Sequence, residues 1–255
     1  MTNLFDLTGK TCLLTGASKG IGKSMAIALA QHGGTVIISS RKIDVLKKTA
    51  EEINETIGEE RVFPVAANAG RKDELENLVN AARQLSGKID VLICNAGVNP
   101  HYGPMSDISD EAYDKTMATN VKSNHWLCQM VAPDMVDRGG GSIMITSSVG
   151  AFEPSLNLGT YDISKLAVIG LVRNLAAEYG PQKIRVNAIC PAIIKTDFAR
   201  ALWENPEILK SALTGTPQNR IGEPDELGGA AVFLASAAGS YVNGHTIVVD
   251  GGTTV

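Results

Sequence analysis

The chain is poor in cysteine and histidine, with four of each in 255 residues. Cys12, Cys94, Cys128 and Cys190 form no close pair, and three of them lie in apolar, strand-like runs. That pattern reads as buried free thiols in a reducing compartment, not as a disulfide framework. The histidines show no ligand spacing, so no metal site is expected. The net charge is −4 and no basic stripe is visible, which argues against a nucleic-acid partner. Long apolar runs are also missing: polar groups break each one within a few residues, so no segment is expected to span a membrane. The opening MTNLFDLTGK has no charged stretch followed by an apolar one and does not read as a secretory signal. A cytoplasmic location is expected. Proline-rich linkers, charge blocks and internal repeats are absent too.

What remains is an ordinary globular composition, 44 % hydrophobic and 20 % charged, at a length that suits one large α/β domain. Short apolar or β-branched runs read as strands at 11–15, 35–39, 61–66, 89–94, 142–147, 184–190 and 246–250. Helical patterns fill 21–32, 43–57, 72–86, 109–137, 158–179 and 224–236. Strands this apolar on both faces need helices above and below, and strict alternation implies βαβ crossovers. The expectation is a single-domain, doubly wound α/β (Rossmann) fold with a seven-stranded parallel sheet over residues 1–255. One irregular stretch, about 192–220, holds Trp203, Pro206 and Pro217 and sits where a substrate lid is expected.

The first strand runs into TGASKGIG, with glycines at 16, 20 and 22 between strand and helix. Without Cβ atoms this turn lets the backbone approach a pyrophosphate seated on a helix N-terminus. The loop residues Gly16, Ser18, Lys19, Gly20, Ile21 and Gly22 are therefore candidate cofactor contacts. At the tip of the second strand an NAD-type site carries an acid for the ribose hydroxyls. This chain has Ser40 and Arg41 there, with Lys19 as a second cation. A hydroxyl and a guanidinium suit a 2′-phosphate, which favours NADP(H) over NAD(H).

TGASKGIG, CNAG at 94–97, ITSS at 145–148, YDISK at 161–165 and RVNAICPA at 185–192 follow one another in an order that resembles the short-chain dehydrogenase/reductase family. The resemblance covers essentially the whole chain. It implies a catalytic set of Asn120, Ser148, Tyr161 and Lys165. Ser148 is preferred to Ser147 because the family places its serine thirteen positions before the tyrosine. It further implies cofactor contacts at Asn95, Ala96 and Gly97 around the adenine ribose, Asn68 at the adenine, and Pro191, Ile194 and Thr196 at the nicotinamide end. Asn68 stands where the family often has aspartate, and Ala192 replaces the family's usual glycine after the proline, crowding that pocket slightly. Asn120 resembles the residue that anchors a water chain to the lysine.

The tyrosine–lysine pair also has a physical rationale. In a helix over 158–179, Tyr161 and Lys165 lie one turn apart on one face. A free tyrosine has a pKa of about 10, and a neighbouring ammonium is expected to lower it. Tyr161 then exchanges a proton with a carbonyl oxygen held by Ser148, while Lys165 also grips the nicotinamide ribose. Substrate contacts are expected from Ser148, Phe152, Tyr161 and Trp203, with His101, Tyr102 and Leu156 nearby.

The loops NAGVNP, AFEPS and IKTDFARALW are most similar to the NADP(H)-dependent carbonyl and retinal reductases, implying ketones or aldehydes of moderate size and apolar character. Two other readings are reduction of a 3-oxoacyl group on a carrier protein and a non-catalytic NADP(H)-binding protein. Family members are commonly homotetramers or dimers. Apolar residues on several sides of 109–137, such as Trp126, Leu127, Met130 and Val131, are expected to be covered by a second subunit or the sheet.

Overall fold

Strand residues here are apolar on both faces because the sheet is sandwiched. The structure, a computed structural model, describes residues 3–255 except the side chains of Ala201, Ile208 and Ala212. Met1 and Thr2, which open the segment read as lacking a signal, lie outside the described residues. Seven strands, β1 (Thr11–Thr15), β2 (Thr35–Ser40), β3 (Val62–Ala66), β4 (Val91–Cys94), β5 (Gly141–Thr146), β6 (Ile184–Pro191) and β7 (Thr246–Val249), pair in parallel in the order 3-2-1-4-5-6-7. The helices are α1 (Gly20–Gln31), α2 (Ile43–Ile57), α3 (Lys72–Ser86), α4 (Asp110–Met117), α5 (Ser123–Asp137), α6 (Gly159–Tyr179), α7 (Arg200–Trp203), α8 (Pro206–Ala212) and α9 (Gly228–Ala235).

Alternate residues of the central strands β1, β2 and β4 enter opposite cores. Cys12, Leu14, Ile38 and Ile93 pack against Met25, Leu29 and Leu46 of α1 and α2 and Val232 of α9. Leu13, Ile37 and Leu92 pack on the other face against Leu78 of α3, Leu127 and Val131 of α5, and Val168 of α6. Each fully buried leucine or isoleucine contributes about 2 kcal/mol of transfer free energy. The expected doubly wound sheet is therefore present. The strand order reverses between β1 and β4, so their outgoing loops part and leave a crevice at the carboxyl ends.

Two details differ from the expectation, and a third is decided between its alternatives. The helix expected over 109–137 is interrupted: a five-residue π-helical segment, Ala118–Lys122, joins α4 to α5. Such a segment marks an inserted residue, and it holds Asn120. The helix expected from 224 starts as a 3₁₀ turn, Pro224–Leu227, before α9. Leu127 and Val131 are fully buried in the chain's own core, with Trp126 and Met130 packed against it, so this segment is covered by the sheet. On these helices and α6 the exposed large apolar residues are instead Tyr113 of α4, Val136 of α5, and Ile163 and Leu166 of α6. Among the described residues no helix is long and apolar enough to cross a membrane.

Candidate active site

At the crevice, β1 delivers Gly16 in the left-handed region with φ +67°. A Cβ at Gly22 would lie 2.3 Å from the Gly16 carbonyl oxygen, so α1 packs onto the loop only because residue 22 is glycine. No side chain caps the first N–H groups of α1, and its first turn carries no acid. An uncapped helix N-terminus over a tight glycine turn suits an anionic diphosphate. The residues present therefore fit a dinucleotide. The hydroxyl of Thr15 accepts the backbone N–H groups of Asn95 (3.1 Å) and Ala96 (3.2 Å). The Asn95 side chain donates to the Gly16 carbonyl at 3.0 Å and accepts from Thr146 at 3.1 Å. Its role here is to stitch together the tips of β1, β4 and β5.

At the tip of β2, Ser40 is half-buried and Arg41 exposed. Lys19, the second expected cation, is ion-paired with Asp197 of the segment after β6. The Asn68 amide oxygen accepts the Gly70 N–H at 3.0 Å. Pro191 ends β6, Ile194 is buried, and the methyl group of Thr196 abuts the glycine loop at Gly20. Ala192 needs no left-handed backbone; its N–H donates to the Val249 carbonyl at 3.2 Å.

The two serines after β5 separate cleanly. Ser147 is buried and donates to the Lys165 carbonyl at 2.7 Å. Ser148 is half-buried; its oxygen accepts the Gly150 N–H at 3.2 Å, and its hydroxyl lies near enough to the Tyr161 phenol to pull that group's pKa down. One turn along α6 from Tyr161, the Lys165 ammonium lies 5.4 Å from the tyrosine ring centroid and donates to the Thr146 carbonyl at 2.9 Å. Lys165 is only 4 % exposed, and burial pulls its pKa down to about 8, with Cys190 opposing. The expected lowering of the phenol is not found. Burial pushes Tyr161 well above the ordinary tyrosine value; the Ser148 hydroxyl pulls against it, and Asp162 and Cys190 add to the rise. Desolvation of the phenolate is the largest cause of this rise.

Asn120 is fully buried. Its amide oxygen accepts the Val98 N–H at 2.8 Å, and its nitrogen donates to the Val98 carbonyl at 3.0 Å and the Ser164 hydroxyl at 2.9 Å. Gly97 lies between it and the lysine: a Cβ there would be 3.5 Å from the Lys165 ammonium and 3.6 Å from the Asn120 oxygen.

Around this cluster, Phe152 stands half exposed at the rim, and Leu156 and Tyr102 are open to solvent. His101 is bonded to the Pro104 carbonyl at 3.1 Å, and Gly103 N–H donates to the Asn157 carbonyl, joining the two loops. Trp203, expected at the substrate, donates its indole N–H to the Thr196 carbonyl at 2.9 Å and so braces its own segment. Instead Phe198, 59 % exposed, faces Tyr161 at a ring-centroid distance of 5.9 Å. Sequence reasoning passed over Phe198, Thr15 and Thr146. The last two carried a signal, a hydroxyl directly after the apolar run of a strand.

The family profile described as enoyl-(acyl carrier protein) reductase matches residues 16–254. "Dehydrogenase/reductase SDR family member 4" of Homo sapiens is 40 % identical over 255 residues, covering 99 % of this chain and 90 % of the relative. The protein of the same name from Sus scrofa is 41 % identical over 251 residues, covering 97 % and 88 %. Among solved structures, a 7α-hydroxysteroid dehydrogenase complexed with NADH and 7-oxo glycochenodeoxycholic acid superposes with a TM-score of 0.93 at 36 % identity, over 99 % of this chain and 98 % of that one. A gluconate 5-dehydrogenase from Burkholderia cenocepacia, complexed with NADP and tartrate, gives a TM-score of 0.93 at 30 % identity, over 98 % and 97 %. With this sheet order, this glycine turn and relatives matched end to end, the chain belongs to the short-chain dehydrogenase/reductase family, whose members are nicotinamide-dependent oxidoreductases of alcohols and carbonyls.

Proposed function

We propose that the chain reduces ketones and aldehydes of moderate size and apolar character with NADPH, and runs the reverse oxidation, with Tyr161 as general acid and base. The observation that supports this reading is that Lys165 lies over the Tyr161 ring, with Ser148 near enough to the phenol to shift its acidity. When bound, the dinucleotide supplies or accepts the hydride. The glycine turn from Gly16 to Gly22, with Ser18, Lys19, Gly20 and Ile21, would hold its diphosphate. Ser40 and Arg41 would hold the 2′-phosphate, Asn68 the adenine, and Asn95, Ala96 and Gly97 the adenine ribose. Pro191, Ile194 and Thr196 would line the nicotinamide end. The lack of an acid at the tip of β2 supports NADPH, since no carboxylate repels the phosphate there.

Tyr161 gives its phenolic proton to the carbonyl oxygen, and Ser148 donates a hydrogen bond to that oxygen as charge develops. Lys165 would hold the ribose hydroxyls, and its ammonium would favour the phenolate left behind. Asn120 anchors the polar path beside Gly97 through which Lys165 regains contact with water. Phe152 and Trp203 belong to the substrate side, Trp203 by bracing a lid over 192–220.

Two further features complete the reading. Four free, buried cysteines suit a reducing cytoplasm. Exposed Ile163 and Leu166 on α6 suit a homotetramer, or a dimer, covering that face. Reduction of a carrier-bound oxoacyl group is the second reading, prompted by the family profile's description. It needs open cations at the pocket mouth, whereas Lys195 pairs with Glu223, and Arg200 with Asp197 and Glu204. Initial rates on free ketones, aldehydes and carrier-bound 3-oxoacyl groups, with NADPH and with NADH, test the proposal. Turnover of free carbonyls with NADPH, abolished by Tyr161→Phe with dinucleotide binding retained, is expected. Turnover with NADH alone overturns the cofactor preference. Tight NADPH binding with no hydride transfer on any carbonyl would favour a binding protein.

A further inference from the structure

Next to Tyr161 in the first turn of α6 lies a carboxyl group that the chemistry above does not use. Asp162 is 7 % exposed, and one of its oxygens, Oδ1, has no hydrogen-bond partner. The other accepts the Ser155 backbone N–H at 2.8 Å. Oδ1 is pressed against Gly150: a Cβ at residue 150 would fall 2.1 Å from it and 2.9 Å from the carboxyl carbon. Gly150 is also the residue whose N–H fixes the Ser148 oxygen at 3.2 Å. One side chain on the tyrosine's helix thus touches both ends of the 150–155 loop, and the near end holds the catalytic serine.

The choice of residue is informative. Burying an acid with an unsatisfied oxygen is unfavourable, and burial pushes the Asp162 carboxyl above its ordinary range. The dipole of α6 favours an acid in its first turn, but a carboxylate left in solvent would serve that purpose without the cost of burial. The side chain makes two contacts of consequence, with Gly150 and with Ser155, and both lie in the loop that bears on Ser148.

We propose that Asp162 is a positioning residue that clamps the 148–155 loop onto α6 and thereby sets the Ser148 hydroxyl against the Tyr161 phenol. This rests on the proposed roles of Ser148 and Tyr161. The clamp works in two steps: the carboxylate seats the loop, and the seated Gly150 N–H orients the serine oxygen. Gly150 is part of the device, since any larger residue would displace Asp162.

The test uses the full chain with NADPH and the fastest carbonyl probe from a panel including benzaldehyde, acetophenone and cyclohexanone. Asp162→Ala is expected to lower kcat about tenfold to a hundredfold, as misplacement of a catalytic group does, while the KM for NADPH stays within twofold. Asp162→Asn keeps an acceptor for Ser155 and nearly the same shape, and is expected to hold kcat within about threefold. Gly150→Ala is expected to lower kcat like Asp162→Ala, and the double variant to be no worse than either single one, because both act through one contact. A kcat within twofold of the original in Asp162→Ala, losses that multiply in the double variant, or Asp162→Asn as impaired as Asp162→Ala would each overturn the clamp. If Asp162→Ala does not fold, Gly150→Ala and Asp162→Asn decide. A Tyr161→Phe control separates the two levels. Turnover surviving in that control sinks the reading of the site itself, whereas a dead control beside a fully active Asp162→Ala sinks only the clamp.

Discussion

Lys165 is held in the protein at the expense of its own hydration. Its folded pKa is about 8, against an ordinary 10.5. Between those values the unfolded chain binds more protons than the folded one, so the contribution of this residue to stability rises with pH across that window. Below pH 8 the full penalty applies, on the order of 3 kcal/mol from the size of the shift. Lys165→Met is therefore expected to raise Tm at pH 7 while abolishing turnover, and its advantage over the unsubstituted chain should shrink to nothing as pH passes 10; calorimetry across that range measures it. The two serines should part in the same manner. Ser148→Ala is expected to lower kcat about a hundredfold or more, as loss of a hydrogen bond to a developing oxyanion does. Ser147→Ala should instead cost about 1 kcal/mol of stability through its lost bond to the Lys165 carbonyl. At this scale the sequence was informative about identity and silent about acidity. Tyr161 and Lys165 share a face because helix geometry is local, and the family spacing singled out Ser148, the serine near the phenol, whereas Ser147 is engaged with the Lys165 carbonyl. The acidity of the phenol depends on how much water the fold removes, which no local spacing records, and there the expectation failed.

Among the elements, the strands were legible because a core on both faces makes each a short, continuous apolar run bounded by polar turns. The π-helical segment at Ala118–Lys122 was not. One inserted residue turns the helix face by only about 100°, and the apolar pattern on either side still reads as a continuous helix. The segment following β6 was legible as irregular but not in its contacts. Trp203 is the conspicuous aromatic there, yet it is Phe198 whose ring reaches Tyr161. Which side chain faces inward follows from the path after Thr196, a tertiary matter. Removing the Trp203 brace should loosen this segment: Trp203→Phe is expected to be cut by trypsin after Arg200 faster than the unsubstituted chain, followed by mass spectrometry. The glycine turn leaves no such latitude. Gly22→Ala places a methyl group against the Gly16 carbonyl, and NADPH binding measured by fluorescence quenching should be lost while the circular dichroism spectrum is kept.

Over the whole molecule, α6 is where the parts meet. Its inner face carries Tyr161, Asp162 and Lys165; its outer face exposes Ile163 and Leu166, with Leu166 56 % exposed beside the buried lysine. If a neighbouring copy covers that face, Leu166→Asp should shift the assembly to smaller species in light scattering. A rod gripped from outside cannot twist independently of what it carries within. The velocity should then climb more steeply than in proportion to the amount of enzyme at high dilution, and straighten once the subunits have found one another.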